Sequence, residues 1–70
     1  MNVLLQDKGT LDYVKADNKW TAERAEARVF ATGLEALYYC YNEGIRNMQI
    51  VGECDGEMSF NVPVTDSRNL

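Results

Sequence analysis

Seventy residues make one domain, and a chain this short buries only roughly 60% of its unfolded surface, so its core is small. Ordinary apolar content with only five glycines and one proline excludes a disordered chain, and no apolar run is long enough to cross a bilayer. The formal charge of −4 is uneven: Lys8 to Arg28 holds five basic and four acidic residues, whereas Glu35 to Asp66 holds Arg46 against six acidic ones, a surface that disfavours duplex DNA.

Met1 to Gln6 and Thr10 to Lys15 read as two strands around Asp7-Lys8-Gly9. Side-chain parity selects a three-residue loop there over a two-residue Lys8-Gly9 turn. It sets Leu5 against Leu11 and Val3 against Tyr13, placing Met1, Val3, Leu5, Leu11 and Tyr13 on one face with Gly9 left-handed. The apolar start has no basic leader and no long hydrophobic region, so it does not read as a signal peptide.

Ala16 to Lys19 is a loop, and Thr21 after Trp20 is placed to cap a short helix over Ala22 to Ala27. Arg28-Val29-Phe30 is either a brief third strand or an anchor for Phe30 in the core. The main helix is bounded by Thr32 at its cap, Glu35 three residues on, and a glycine stop at Gly44. Leu34, Leu37, Tyr38 and Tyr41 form its apolar stripe, widened by Ala36 and Cys40. Glu35, Tyr39, Asn42 and Glu43 then fall on the solvent face.

Arg46 to Glu53 and Glu57 to Val64 read as a second hairpin. A three-residue loop, Cys54-Asp55-Gly56, aligns Met48 and Ile50 with Met58, Phe60 and Val62 and leaves Gly56 left-handed. Pro63 lacks an N–H, which marks an edge strand. Residues 65–70 form a polar tail that frays.

The sum is an α+β fold: a small antiparallel sheet of four or five strands on one main helix, in the order β-β-(short helix, short strand)-α-β-β. Residues 1–64 form the compact domain. On the outer sheet face, either Ala22 to Ala27 supplies cover, or Leu4, Val14 and Val51 form a small exposed patch.

Trp20-Thr21, Ala27-x-x-Phe30, and Ala36 four residues past the Thr32 cap together resemble a pattern of small uncharacterised bacterial and phage proteins that begin with a β-hairpin. The resemblance covers roughly residues 3–40 and is structural in type. It implies a hairpin followed by a helix and carries no activity, cofactor or site residue.

The absence of histidine removes the commonest general base and metal ligand, and no glycine-rich phosphate cradle is present. Glu53, Asp55 and Glu57 crowd a turn without the ordered ligand spacing of a calcium loop. Cys40 and Cys54 are too few for a closed zinc site within one chain and read as free thiols. The scattered carboxylates Asp12, Asp17, Glu23 and Glu26 read as a solvated, salt-bridged surface.

The function expected is therefore a small non-enzymatic binding module of the cytoplasm, without cofactor, metal or membrane contact. It acts on another protein or on itself through Tyr39, Glu35, Glu43 and the patch Leu4, Val14 and Val51. The alternative is single-stranded nucleic acid held by Lys15, Lys19, Trp20, Arg24 and Arg28, basic residues around a stacking ring.

Overall fold

In the computed structural model, which describes residues 1–64, a side chain makes the first chain reversal. The carboxylate of Asp7 accepts the N–H groups of Gly9 and Thr10 at 2.7 and 3.1 Å. The Leu11 N–H reaches the Asp7 carbonyl at 2.8 Å, and Leu11 itself takes the left-handed conformation at φ 67°. Aspartate here stands in for backbone, so the turn closes one residue later than glycine alone requires. The three-residue loop with Gly9 left-handed is therefore corrected: β1 (Asn2–Asp7) pairs with β2 (Tyr13–Val14) in the register Gln6 to Tyr13. That shift changes parity. Val14 joins Leu5 on the face toward the helix, Tyr13 joins Leu4 on the other, and Leu11 stands in solvent.

The chain next makes a short 3₁₀ turn at Ala16–Asn18 and enters β3 (Trp20–Thr21), which pairs Val14 with Trp20. The third strand thus precedes the helical segment instead of following it. The expected helix over 22–27 contracts to a 3₁₀ turn at Arg24–Glu26. Thr21 is not its cap: Glu23 holds that position with no side-chain capping bond, and the Thr21 hydroxyl accepts the Glu23 N–H at 3.0 Å in the preceding turn. Ala27 packs against Leu4, Tyr13 and Val51 on the outer face, so of the two alternatives for that face the covered one holds. Residues 28–30 make no strand beyond a single bridge, in which the Phe30 N–H donates to the Val3 carbonyl at 2.8 Å and the ring is buried.

Helix α1 (Gly33–Glu43) starts and stops on its own punctuation. The Thr32 hydroxyl accepts the Glu35 N–H at 3.1 Å, and Gly44 turns left-handed at φ 66° so that Gly44 and Ile45 satisfy the last carbonyls. Its orientation corrects the expected stripe. Ala36 and Cys40 are the residues buried, together with Leu5, Val14, Phe30 and Met48. Leu34, Tyr38 and Tyr41 are 59%, 57% and 44% exposed. The sheet face beneath already carries large side chains and Phe30 lies beside it, so only small helix residues fit at the contact.

Strands β4 (Met48–Cys54) and β5 (Glu57–Pro63) meet at a two-residue turn, not three, with Asp55 at φ 54° and Gly56 at φ 80°. The Asp-Gly pair suits two successive left-handed positions. A bulge between Gly52 and Glu53 then shifts the register, so Ile50 faces Val62 and Gly52 faces Phe60. The bulge thereby restores the predicted face for Met48, Ile50, Phe60 and Val62. The ring of Phe60 lies over Gly52, where a Cβ would sit 2.2 Å from it.

All pairings are antiparallel, in the order β3-β2-β1-β4-β5, with α1 over β1 and β4. β5 is an edge, as Pro63 predicts. The Val64 N–H donates inward to Met48, which turns the nitrogen of Pro63 outward where no donor is needed. The polar tail at 65–70 lies outside the described residues.

Two substitutions test these turns. Leu11→Asn relieves a left-handed leucine and should raise stability by about 0.5–1 kcal/mol, whereas a lower melting temperature would contradict the turn drawn here. Gly52→Ala drives a methyl into Phe60 and should cost about 1–3 kcal/mol. Gly33→Ala, with nothing within 4 Å of the added carbon, serves as the neutral control.

Candidate functional site

The expected partner patch does not form. Leu4, Val14 and Val51 are 1%, 1% and 0% exposed, and they divide between the two sheet faces because of the β1–β2 register. They are core residues, and their candidacy as a docking surface is corrected. Glu35 is exposed in the first turn of α1.

Tyr39 also departs from expectation. The rotation of α1 turns it from solvent toward the flank of β2 and β3, where it is half-buried against the core. Its ring lies 5.3 Å from Phe30, and the Arg28 guanidinium sits 4.8 Å from the Phe30 centroid and 5.0 Å from that of Tyr39. The Tyr39 hydroxyl donates to Asn18, whose amide donates in turn to the Glu43 carboxylate at 3.2 Å. Burial raises the Tyr39 pKa, and the nearby Glu43 charge adds to the rise. The phenol therefore stays a donor throughout the neutral range. Tyr39, Asn18 and Glu43 form one polar link between the helix and the β2–β3 connection.

This link walls a cleft of about 220 Å³ lined by Val14, Asn18, Trp20, Tyr39, Glu43 and Ile45. Local backbone geometry builds it. Asp17 and Asn18 are left-handed at φ 63° and 58°, which compresses the connection, and the Lys15 N–H closes it on the Lys19 carbonyl at 2.7 Å. Trp20 pairs with Val14 across the ladder, so its indole shares the face on which Val14 meets the helix. The sequence places Tyr39 and Glu43 on one partner-binding helix face and Trp20 in a separate basic cluster. Their convergence depends on the helix rotation, which the sequence pattern points the other way.

A second surface is apolar. At 100° per residue, the centre of Leu34, Tyr38 and Tyr41 lies roughly 150° from that of Ala36 and Cys40. Tyr39 leans toward β2 and β3, and Leu34, Tyr38 and Tyr41 lie on the outer side of α1, away from the sheet. On β5, Phe60 and Val62 are exposed on the helix side of the sheet, with Met58 exposed at the start of the strand. Of the stripe read from the sequence, Ala36 and Cys40 face the core, Leu37 is half-buried, and Leu34, Tyr38 and Tyr41 face outward.

The basic residues do not share one face. Arg24 forms an ion pair with Glu53 at 2.9 Å and donates to the Gly56 carbonyl, close to the β4–β5 turn. Lys15 pairs with Glu26 at 3.9 Å. Arg28 rests on the rings of Phe30 and Tyr39 on the helix side. Trp20 opens onto the cleft, and Lys19 beside it is exposed.

Among the described residues, no three His, Cys, Asp or Glu side chains gather as a metal site, and Cys40 and Cys54 are free thiols. Burial raises the Cys40 pKa. No helix among the described residues is long and apolar enough to cross a membrane. Compared with known proteins, the chain matches no family model, no curated protein and no solved structure.

Proposed function

We propose that this chain is a small non-enzymatic interaction module that binds a protein partner on the apolar flank of α1 and the exposed face of β5. One observation carries the reading: Leu34, Tyr38 and Tyr41 face water although they are the most apolar stripe of the helix. Met58, Phe60 and Val62 on β5 add further exposed apolar side chains. A typical partner buries about 800 Å² on each side, so the patch suits one helix or a short segment. Glu35 follows Leu34 in the first turn of α1, and the acidic C-terminal half favours a partner whose apolar residues are flanked by Lys or Arg. Aromatic side chains at the centre of such a surface supply most of its binding energy.

We assign the module to a reducing compartment such as the cytoplasm, because both cysteines are free thiols. Self-association through the same flank is the other outcome that the test below distinguishes.

A photo-crosslinking amino acid placed at Tyr38 or Val62 in the native host should trap one partner of defined mass, and the same probe at Glu23 should trap none. Leu34→Ser should abolish the adduct without changing the circular dichroism of the fold. A product of twice the chain mass would assign the surface to self-association. No adduct from either position, or equal adducts from Glu23, would overturn the reading.

A further inference from the structure

The cleft on the other flank of α1 has a chemistry that the apolar surface does not share. It holds two aromatic rings, those of Trp20 and Tyr39, and one carboxylate, that of Glu43. The ion pairs of Lys15 with Glu26 and of Arg24 with Glu53 do not involve Glu43. Glu43 accepts a hydrogen bond from the neutral amide of Asn18. Asn18 is itself held by the Tyr39 hydroxyl, in a backbone conformation that Asn tolerates better than most residues. Tyr39, Asn18 and Glu43 are thus held together before any ligand arrives.

We propose that this cleft binds an organic cation of the alkylammonium class, with its charge on Glu43 and its alkyl surface against Trp20 and Tyr39. The negative faces of aromatic rings attract cations, and an adjacent carboxylate adds to that attraction. The same groups repel anions. The Arg28 guanidinium already lies 5.0 Å from the Tyr39 centroid, so Trp20 and Glu43 supply the main attraction for an added cation. Size narrows the class. About 220 Å³ is below the usual range for drug-sized ligands, so the cleft takes a group the size of one side chain or one small quaternary ion. Val14 and Ile45 give it an apolar floor suited to methylene or methyl groups.

Two sources supply this chemistry: a free small cation, or a lysine side chain of a partner protein. Trp20 is the only tryptophan, so its fluorescence reports on the cleft directly. The wild-type protein is titrated with choline and with Nα-acetyl-lysine methylamide, against sodium chloride at matched ionic strength. The neutral choline isostere 3,3-dimethyl-1-butanol tests the need for charge. A saturable change with choline alone assigns the site to a free quaternary cation, and one with the lysine amide assigns it to a protein side chain. In either case Glu43→Gln, which keeps the acceptor for Asn18, should weaken binding by about tenfold while the circular dichroism is unchanged. The proposal is overturned if neither cation gives a saturable change beyond the salt control, if the neutral isostere binds as well, or if Glu43→Gln binds as tightly as wild type. Loss of the Tyr38 adduct leaves these titrations unaffected, so the two surfaces stand or fall separately.

Discussion

The close approach of α1 to the sheet through Ala36 and Cys40 organises the rest of the molecule. The sheet face presents Leu5, Val14 and Met48, and Phe30 fills the space beside them, so the helix enters on its smallest residues. A tyrosine or leucine at that contact would need volume that a close-packed interior lacks. The helix therefore carries its large apolar residues on its outer side. Tyr39, one position before Cys40, is swung against Phe30 and the β2–β3 connection.

The turns show why some of this was legible in the residues and some was not. The helix limits are local matters: a threonine hydroxyl on the Glu35 N–H and a glycine at positive φ are both visible in the chain. The edge position of β5 follows from Pro63 for an equally local reason. The first hairpin was harder to read because Gly9 offered the obvious left-handed residue. The Asp7 side chain instead satisfied two N–H groups and left that conformation to Leu11, a residue type that rarely adopts it. One residue of loop length reversed the faces of Tyr13 and Val14. In the second hairpin, the Asp-Gly turn and the face parity seemed to conflict. The bulge opposite Gly52 reconciles them, and it is permitted there because glycine leaves room for the Phe60 ring.

The candidate sites followed the same pattern. Leu4, Val14 and Val51 were apolar residues on strands, and their burial under Ala27 and the helix could not be read from periodicity alone. A hydrophobic stripe at helical spacing is ordinarily core, and here the rule holds for Ala36 and Cys40 but fails for Leu34, Tyr38 and Tyr41. Departures of this kind, where the pattern is clear and the fold leaves it exposed, gather at surfaces that do something. The two sides of α1 then differ in chemistry: apolar beside Glu35 on the outer side, aromatic with the Glu43 carboxylate toward β3. The basic residues that composition groups around Trp20 are drawn apart by Glu53, Glu26 and the rings of Phe30 and Tyr39.

The orientation of α1 is the claim on which both surfaces depend, and nuclear Overhauser contacts in solution test it most directly. The Ala36 methyl should show contacts to Leu5 and Met48, and the Tyr39 ring to Phe30, while Leu34 and the Tyr38 ring show none to the β1 or β4 core. Contacts from Leu34 or Tyr38 to Leu5 or Met48, with Ala36 silent, would mean that the stripe is buried after all and would remove both surfaces at once.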